Sequence, residues 1–383
     1  MSGQWPTVSL GELLRLERRR VNVEPARSYQ EIGIYSFGRG IFHKAPRTGL
    51  EVGDKDLFLM REGDLILQVT FAWEGAIAIV SAHEDGMYGS TRYPTFRVDE
   101  KRCAPQFLLN YFKTEQGRQQ LVKICPGSAG RNRVLSIKRI PEVLVPLPPL
   151  AEQQRVVQRI DELAAQINEA RTLRHQAVEE AEVLLRSILS HDQHAKPTPM
   201  RKLVALRKPD VTVRADETYQ FAGVYCFGRG VFKSVRKSGT DFAYPRLTRL
   251  RTGEFVYPKL MAWEGALGVV PAECDGCVVS TEFPVFEVNE DRVFHEVLDT
   301  YFRTPFVWPA IAGESSGTNV RRRRLNPQDF LNYEMPVPSR DTQMTLRKVR
   351  AEVDALKHLQ AATAKELDAL LPSILDRAFT GQL

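Results

Sequence analysis

Long apolar runs are missing from this chain. No window of eighteen residues is both apolar and free of charge, which excludes a helix built to cross a membrane. The opening stretch, MSGQWPTVSLGELL, lacks the basic segment and apolar core of a secretion signal, so the expected location is the cytoplasm. Cysteine is scarce and odd in number: Cys103, Cys125, Cys226, Cys274 and Cys277 are spread over a long chain, which excludes a disulfide framework and predicts reduced thiols. Cys274 and Cys277 make one C-x-x-C around Asp275 and Gly276, but no second pair supplies the other two ligands zinc needs, so this spacing reads as a turn. The seven histidines have no ligand spacing. Phosphate-loop, H-E-x-x-H and G-x-S-x-G patterns are absent, as is the Asn-Pro-Pro or Asp-Pro-Pro plus aromatic of an amino-methyltransferase. No catalytic residue, metal site or cofactor site is expected.

What the chain does have is a repeat. Its 383 residues, 43% hydrophobic and 26% charged, suit two or three soluble domains. Tyr29 to Phe42 (YQEIGIYSFGRGIF) matches Tyr219 to Phe232 (YQFAGVYCFGRGVF) at 9 of 14 positions. Ala72 to Val80 matches Ala262 to Val270 at 6 of 9, and Ser90 to Val98 matches Ser280 to Val288 at 5 of 9. One offset, 190, holds all three pairs, so the protein is two copies of one unit.

Each copy changes character at a proline cluster. Upstream, runs such as DLILQV, AIAIV and PTFRV predict short strands, with helical stretches such as PQFLLNYFKTEQGRQQLV between them. Downstream, Ala151 to Leu189 contains neither Gly nor Pro, and Val156, Ile160, Leu163, Ile167, Ala170, Ala177, Ala181, Leu184 and Ile188 alternate at spacings of four and three, broken only at Arg174. That is a coiled-coil seam about 58 Å long at roughly 1.5 Å per residue. Leu346, Val349, Val353, Leu356, Leu367, Leu370 and Ile374 repeat it, with Gln360 and Thr363 as polar interruptions and Pro372 predicted to kink the end. The helices could dimerise two chains, but an intramolecular pair fits better because both copies already share one chain. If that pair runs antiparallel, the expectation is a rod with one globular unit at each end. His191 to Pro199 reads as a polar linker between the copies.

The net charge is +6, and it is unevenly placed. Residues 151–190 carry −2 and residues 341–383 carry 0, which leaves +8 on the globular segments. That distribution suits globular units that touch nucleic acid and helices that touch protein. Two basic loops sharpen the reading: GSAGRNRVLSIK followed by Arg139 offers Arg131, Asn132, Arg133, Lys138 and Arg139, and ESSGTNVRRRR offers Asn319, Arg321, Arg322 and Arg323. Arginines with an amide suit phosphate positioning and bidentate reading of base edges. The duplicated FGRG lacks the third glycine of a nucleotide loop and reads as a tight turn presenting Arg39 and Arg229. Trp73 and Trp263, each before a Glu, read as core rather than as stacking platforms.

Residues shared by the copies are expected to build scaffold or touch phosphate, and residues that differ beside them to read sequence. Those include His43 and Lys44 against Lys233 and Ser234, Gln68 against Pro258, Val69 against Lys259, and Arg92 against Glu282. Arg and Lys suit guanine, Gln suits adenine and Glu can accept from cytosine, so Lys44, Gln68, Arg92, Lys233, Lys259 and Glu282 join the candidates.

PLPPLAEQQR at Pro146 to Arg155, the ending SILDRAFTGQL from Ser373, and R-x-G-D at Arg61 to Asp64 with R-x-G-E at Arg251 to Glu254 together resemble the specificity subunit of type I restriction-modification enzymes. The resemblance runs over essentially the whole chain. It departs at Pro336 to Gln343, PVPSRDTQ, where that family usually shows a second PLPP-x-x-x-Q. The implied fold class is α+β, with two duplicated α/β target-recognition domains joined by two long helices forming an antiparallel coiled coil. Its expected bounds are 1–148, 149–192, 193–338 and 339–383. The resemblance further implies a noncatalytic reader of a bipartite, asymmetric DNA site, whose helices set the gap and dock two adenine methyltransferase subunits, with Gln153, Gln154, Arg155 and Arg159 as candidate partner contacts. S-adenosylmethionine, ATP and Mg would be held by those methyltransferases and by motor-nuclease subunits, and none by this chain. Two alternatives stay open: a DNA reader for another methylation-based defence system, and a coiled-coil scaffold without sequence-specific binding.

Overall fold

The computed structural model describes residues 5–127, 133–313 and 323–382. The chain divides into two compact units, one made of residues 1–172 and 363–383 and the other of residues 173–362.

The apolar runs read as strands are strands. In the first unit Ile77–Ile79, Leu65–Leu67, Thr95–Val98 and Leu14–Glu17 form an antiparallel sheet in that order. In the second unit Gly268–Val269, Phe255–Val256, Val285–Val288 and Val204–Leu206 form the same sheet in the same order. A further sheet runs Tyr88–Ser90, Leu57–Leu59, Arg20–Val21 in the first unit, and Val278–Val279, Arg246–Arg249, Val211–Thr212 in the second. The predicted helical stretch splits at Thr114 into Pro105–Lys113 and Glu115–Lys123, because the Thr114 hydroxyl accepts the Gly117 N–H at 3.0 Å and caps the second piece. The His191 to Pro199 segment is more than a linker, since Lys196–Pro199 pairs with Glu334–Val337. Cys274 and Cys277 are buried in a turn closed by the Cys277 N–H on the Cys274 carbonyl at 3.1 Å.

A continuous helix, Leu150–Ser190, leaves the first strand set, while the C-terminal segment forms Arg340–Ala362 and Ala364–Phe379. In the first unit Val156 and Ile160 share a core with Leu375, Ala378 and Phe379, and Arg171 pairs with Asp368 at 2.9 Å, so the helices there run antiparallel. In the second unit Leu185 shares a core with Leu346 and Val353, and Lys357 pairs with Glu182 at 2.5 Å, again antiparallel. The interruption falls at Thr363, earlier than Pro372, which lies inside an unbroken Ala364–Phe379.

The seam differs from expectation at one equivalent place in each copy. Leu184 and Leu370, assigned to the seam, are 51% and 45% exposed, whereas their neighbours Leu185 and Leu371 pack into the cores. An α-helix turns every 3.6 residues, so a strict 3.5-residue reading drifts off the packed face, and adjacent leucines hide the slip. Each globular core is closed by the end of a long helix. Phe379 sits against Trp5, Phe107 and Tyr111, with ring centroids 6.2, 4.9 and 5.4 Å away.

Candidate nucleic-acid interface

The most strongly duplicated segments dock on each other. In the first unit the Phe37 and Gly38 N–H groups donate to the Glu74 and Gly75 carbonyls at 2.8 and 2.9 Å; in the second, Phe227 and Gly228 donate to Glu264 and Gly265 at 2.8 and 3.0 Å. FGRG and AWEG are therefore two sides of one joint, which is why both are repeated. Phe37 and Phe227 hold φ of 62° and 63°, a left-handed backbone unusual for a side chain of that size. Gly228 at φ 65° has no alternative, since a Cβ there would meet the Arg303 carbonyl oxygen at 2.7 Å. The turn presents Arg39 and Arg229 as expected: both are exposed and lie over the rings of Tyr35 and Tyr225 at 5.3 and 4.7 Å. Trp73 and Trp263 are half-buried and not full core residues; their indole N–H groups donate to the Thr70 and Leu260 carbonyls at 3.0 and 2.9 Å. The duplicated R-x-G-[DE] is a self-capping turn, in which Asp64 and Glu254 accept the Arg61 and Arg251 N–H groups, both at 2.9 Å.

Beside this joint the backbone gathers three separate segments. The Val69 N–H donates to the Arg92 carbonyl at 2.9 Å and the Leu135 N–H donates to the Val69 carbonyl at 2.9 Å. The second unit repeats both bonds at the 190 offset, Lys259 to Glu282 at 3.0 Å and Leu325 to Lys259 at 2.9 Å. One frame thus carries different side chains. In the first unit it shows exposed Arg92 and Val134 with half-buried Val69. In the second, Glu282 accepts from Arg324 at 2.6 Å and lies 3.8 Å from Lys259, whose ammonium also donates to the Thr281 carbonyl at 2.9 Å. Val134 and Arg324 were missed by the sequence reading, although their register opposes an apolar residue to a cation.

Lys44 joins the frame of the first unit, with its ammonium 5.4 Å from the ring of Tyr93, next to Arg92. It also lies 3.8 Å from Glu31, a carboxylate that is 1% exposed and takes Arg47 and Lys55 as further partners. Burial pulls the Lys44 ammonium down, against the attraction of Glu31. Burial would raise the Glu31 carboxyl, but hydrogen bonds from Lys55 and Arg47 and the surrounding positive charge hold it below the usual range. His43 pairs with Glu84 at 2.9 Å. Lys233, its counterpart, is exposed on the strand Gly230–Ser238.

Other candidates are placed differently from expectation. Gln68 is buried, and its carbonyl accepts the Thr70 and Phe71 N–H groups at 2.6 and 2.7 Å, so it shapes a turn and that oxygen faces no base. Pro258 holds the equivalent turn with a ring. Arg133 lies over the Trp73 ring at 5.6 Å, Lys138 is exposed, and Arg139 pairs with Glu142 at 2.7 Å. Arg323 is half-buried. Arg131, Asn132, Asn319, Arg321 and Arg322 lie outside the described residues. At the helix start Gln154 is exposed, while Arg155 and Arg159 pair with Glu152 and Glu162 on their own helix at 2.8 and 3.3 Å. Gln153 is no partner contact: it is fully buried, its oxygen accepting the Ala104 N–H at 2.8 Å and its nitrogen donating to the Arg102 and Pro148 carbonyls at 2.9 and 2.8 Å.

The comparisons with known proteins fit this arrangement. The family model described as the type I restriction modification DNA specificity domain matches residues 3–179. No curated protein matches the chain. Among solved structures, the HsdS subunit from Thermoanaerobacter tengcongensis is similar with a TM-score of 0.58 at 21% identity, covering 100% of this chain and 98% of that one. A chain from a structure titled for the complex assembly and conformational transition of the type I R-M system is similar with a TM-score of 0.66, also at 21% identity, covering 100% and 99%. Among the described residues no helix is long and apolar enough to cross a membrane. Over residues 3–179 the chain is thus similar to the type I restriction modification DNA specificity domain, and its second half repeats the four-stranded sheet and the set of three paired strands of that part in the same order.

Proposed function

We propose that this chain, acting in the cytoplasm, gives a type I restriction-modification complex its DNA sequence specificity by reading a bipartite, asymmetric site, one half with each unit. The observation that carries this reading is the shared frame with exchanged side chains. Val69, Arg92 and Val134 stand in one unit where Lys259, Glu282 and Arg324 stand in the other, on the same two backbone hydrogen bonds. Two copies that keep this frame and present different groups on it suit two different half-sites, because base edges are told apart by donor, acceptor and methyl pattern. The helices dock two adenine methyltransferase subunits and the complex also takes motor-nuclease subunits. Exposed Leu173, Val183, Leu184 and Leu359 on the helices of the second unit, and Leu370 on that of the first, supply apolar surface for such docking. S-adenosylmethionine, ATP and Mg belong to those partners, and this chain holds none of them.

The test is methylome sequencing of cells that carry the chain with its methyltransferase partner, comparing the wild type with Glu282→Gln. The expected result is an adenine-methylated interrupted motif in which the substitution relaxes one half and leaves the other unchanged. A motif altered in both halves, or no selected motif at all, overturns the reading; the second result would fit a scaffold.

A further inference from the structure

The two units differ most in one hairpin. In the first unit, Ile32–Ile34 pairs with Ile41–His43, and a separate short pair, Ser28–Tyr29 with Arg47–Thr48, follows after a gap at Lys44-Ala45-Pro46. Proline has no N–H to give the ladder, so the ribbon stops there. In the second unit Ser234-Val235-Arg236 fills the equivalent stretch, and the ribbon is continuous: Thr218–Tyr225 pairs with Gly230–Ser238, the latter on the sheet edge. A register shift opposite Gln220 to Ala222 puts one extra residue into the edge strand. Lys233 faces Ala222 and Arg236 faces Gln220, two residues apart on the partner strand, so the bulge brings both cations to one face where an unbroken pleat would separate them.

Charge is also handled differently. In the first unit the cations of this region converge on the buried Glu31 carboxylate. The second unit has Phe221 at that position. Among the described residues Lys233, Arg236 and Lys237 take part in no ion pair, and Lys237 instead lies over the Phe221 ring at 5.9 Å. All three are exposed, with Val235, 56% exposed, between them. Beneath the ribbon, Phe283, next to the frame residue Glu282, packs on the small core formed by Ala222, Val231 and Val279.

We infer that the ribbon of the second unit is a major-groove reading element, with Lys233 and Arg236 presented together to the DNA, Lys237 on the phosphate backbone and Val235 as apolar contact for a thymine methyl. A two-stranded ribbon fits the width of a major groove, and arginine and lysine are the side chains that pair with guanine edges. The first unit has no such ribbon and reads its half-site without one. This inference rests on the proposed DNA-reading function.

The test uses the full chain on a duplex selected for it from a random pool, over a series of salt concentrations, with Arg236→Gln and Lys237→Gln made singly. Arg236→Gln should weaken the selected duplex by about 5- to 150-fold and relax only the half-site read by the second unit. Lys237→Gln should weaken all duplexes alike and reduce the salt slope by about one. In the wild type, Lys233 and Lys237 should be protected from amine acylation when the selected duplex is added. Wild-type affinity and site preference in both variants, or acylation unchanged by the duplex, overturns the inference; variants that only aggregate while binding DNA normally would show that the cations guard a sheet edge. If the wild-type chain with its methyltransferase partner selects no duplex, the proposed function itself fails.

Discussion

Replacing Gln153 by alanine should unlock the helix start of the first unit. The side chain is fully buried and makes three hydrogen bonds to backbone groups of Arg102, Ala104 and Pro148. Truncation strands one N–H and two carbonyls. A made bond nets about 1 kcal/mol and a stranded buried group costs about 1 to 3 kcal/mol; because only the Pro148 bond is wholly enclosed, the sum is about 2 to 4 kcal/mol. In a unit of this size that lowers the melting midpoint by on the order of 5 to 15 °C. Gln343 repeats the clamp on Phe294, Arg292 and Pro338 with bonds of 3.0, 3.3 and 3.0 Å, so Gln343→Ala should cost somewhat less. The two losses should add, since the clamps share no partner. Calorimetry of both single variants and the double reads these values. Gln153→Glu supplies the chemical control. A carboxyl there faces two carbonyls in a buried place, which raises its folded pKa above the unfolded value of about 4.3. Its contribution is then present below that value and lost as pH rises, so this variant should destabilise with rising pH relative to wild type. A loss under about 1 kcal/mol for Gln153→Ala, or a Gln153→Glu chain that gains stability with rising pH, would refute the clamp.

Three further outcomes follow from the packing. Leu185→Ala should cost about 2 to 5 kcal/mol while Leu184→Ala stays within about 1 kcal/mol, measured by urea unfolding, because only Leu185 is in the core; equal costs would place the seam as the heptad spacing does. Phe37→Gly and Phe227→Gly relieve a left-handed backbone under rings that are 58% and 64% exposed, so stability should hold or rise by up to about 1 kcal/mol, and a clear drop in melting midpoint would count against strain there. The Asp192 carboxyl is held at about 2 by hydrogen bonds from Thr342 and from the Ser339 N–H. Its folded value lies below its unfolded one, so its contribution is present above about pH 3.9 and lost as pH falls toward 2. Asp192→Asn should remove that component of acid unfolding, and an unchanged acid profile would show that the group does not cap the helix start.

Duplication, strand positions and the long helices were legible from the sequence because they depend on local period and on comparison of the chain with itself: Ile77–Ile79 and Thr95–Val98 alternate or run apolar between turn residues, and Leu150–Ser190 has no breaker. FGRG and AWEG were legible as shared scaffold, though not as two halves of one joint. Residue types nominated Arg92, Lys259 and Glu282, and spacing cannot tell an exposed group from a spent one. Gln68 and Gln153 have the chemistry of base readers and partner contacts, yet burial gives both to the backbone.

The tertiary structure alone decided three things. It chose Leu185 and Leu371 over their equally apolar neighbours, because the packed face follows the true helical turn and the partner core. It assigned Phe379, the end of the second copy's helix, to the core of the first unit, a long-range contact that no local pattern encodes. And it set Val69, Arg92 and Leu135 side by side, because backbone hydrogen bonds join segments far apart in sequence, turning scattered differences between two copies into one surface.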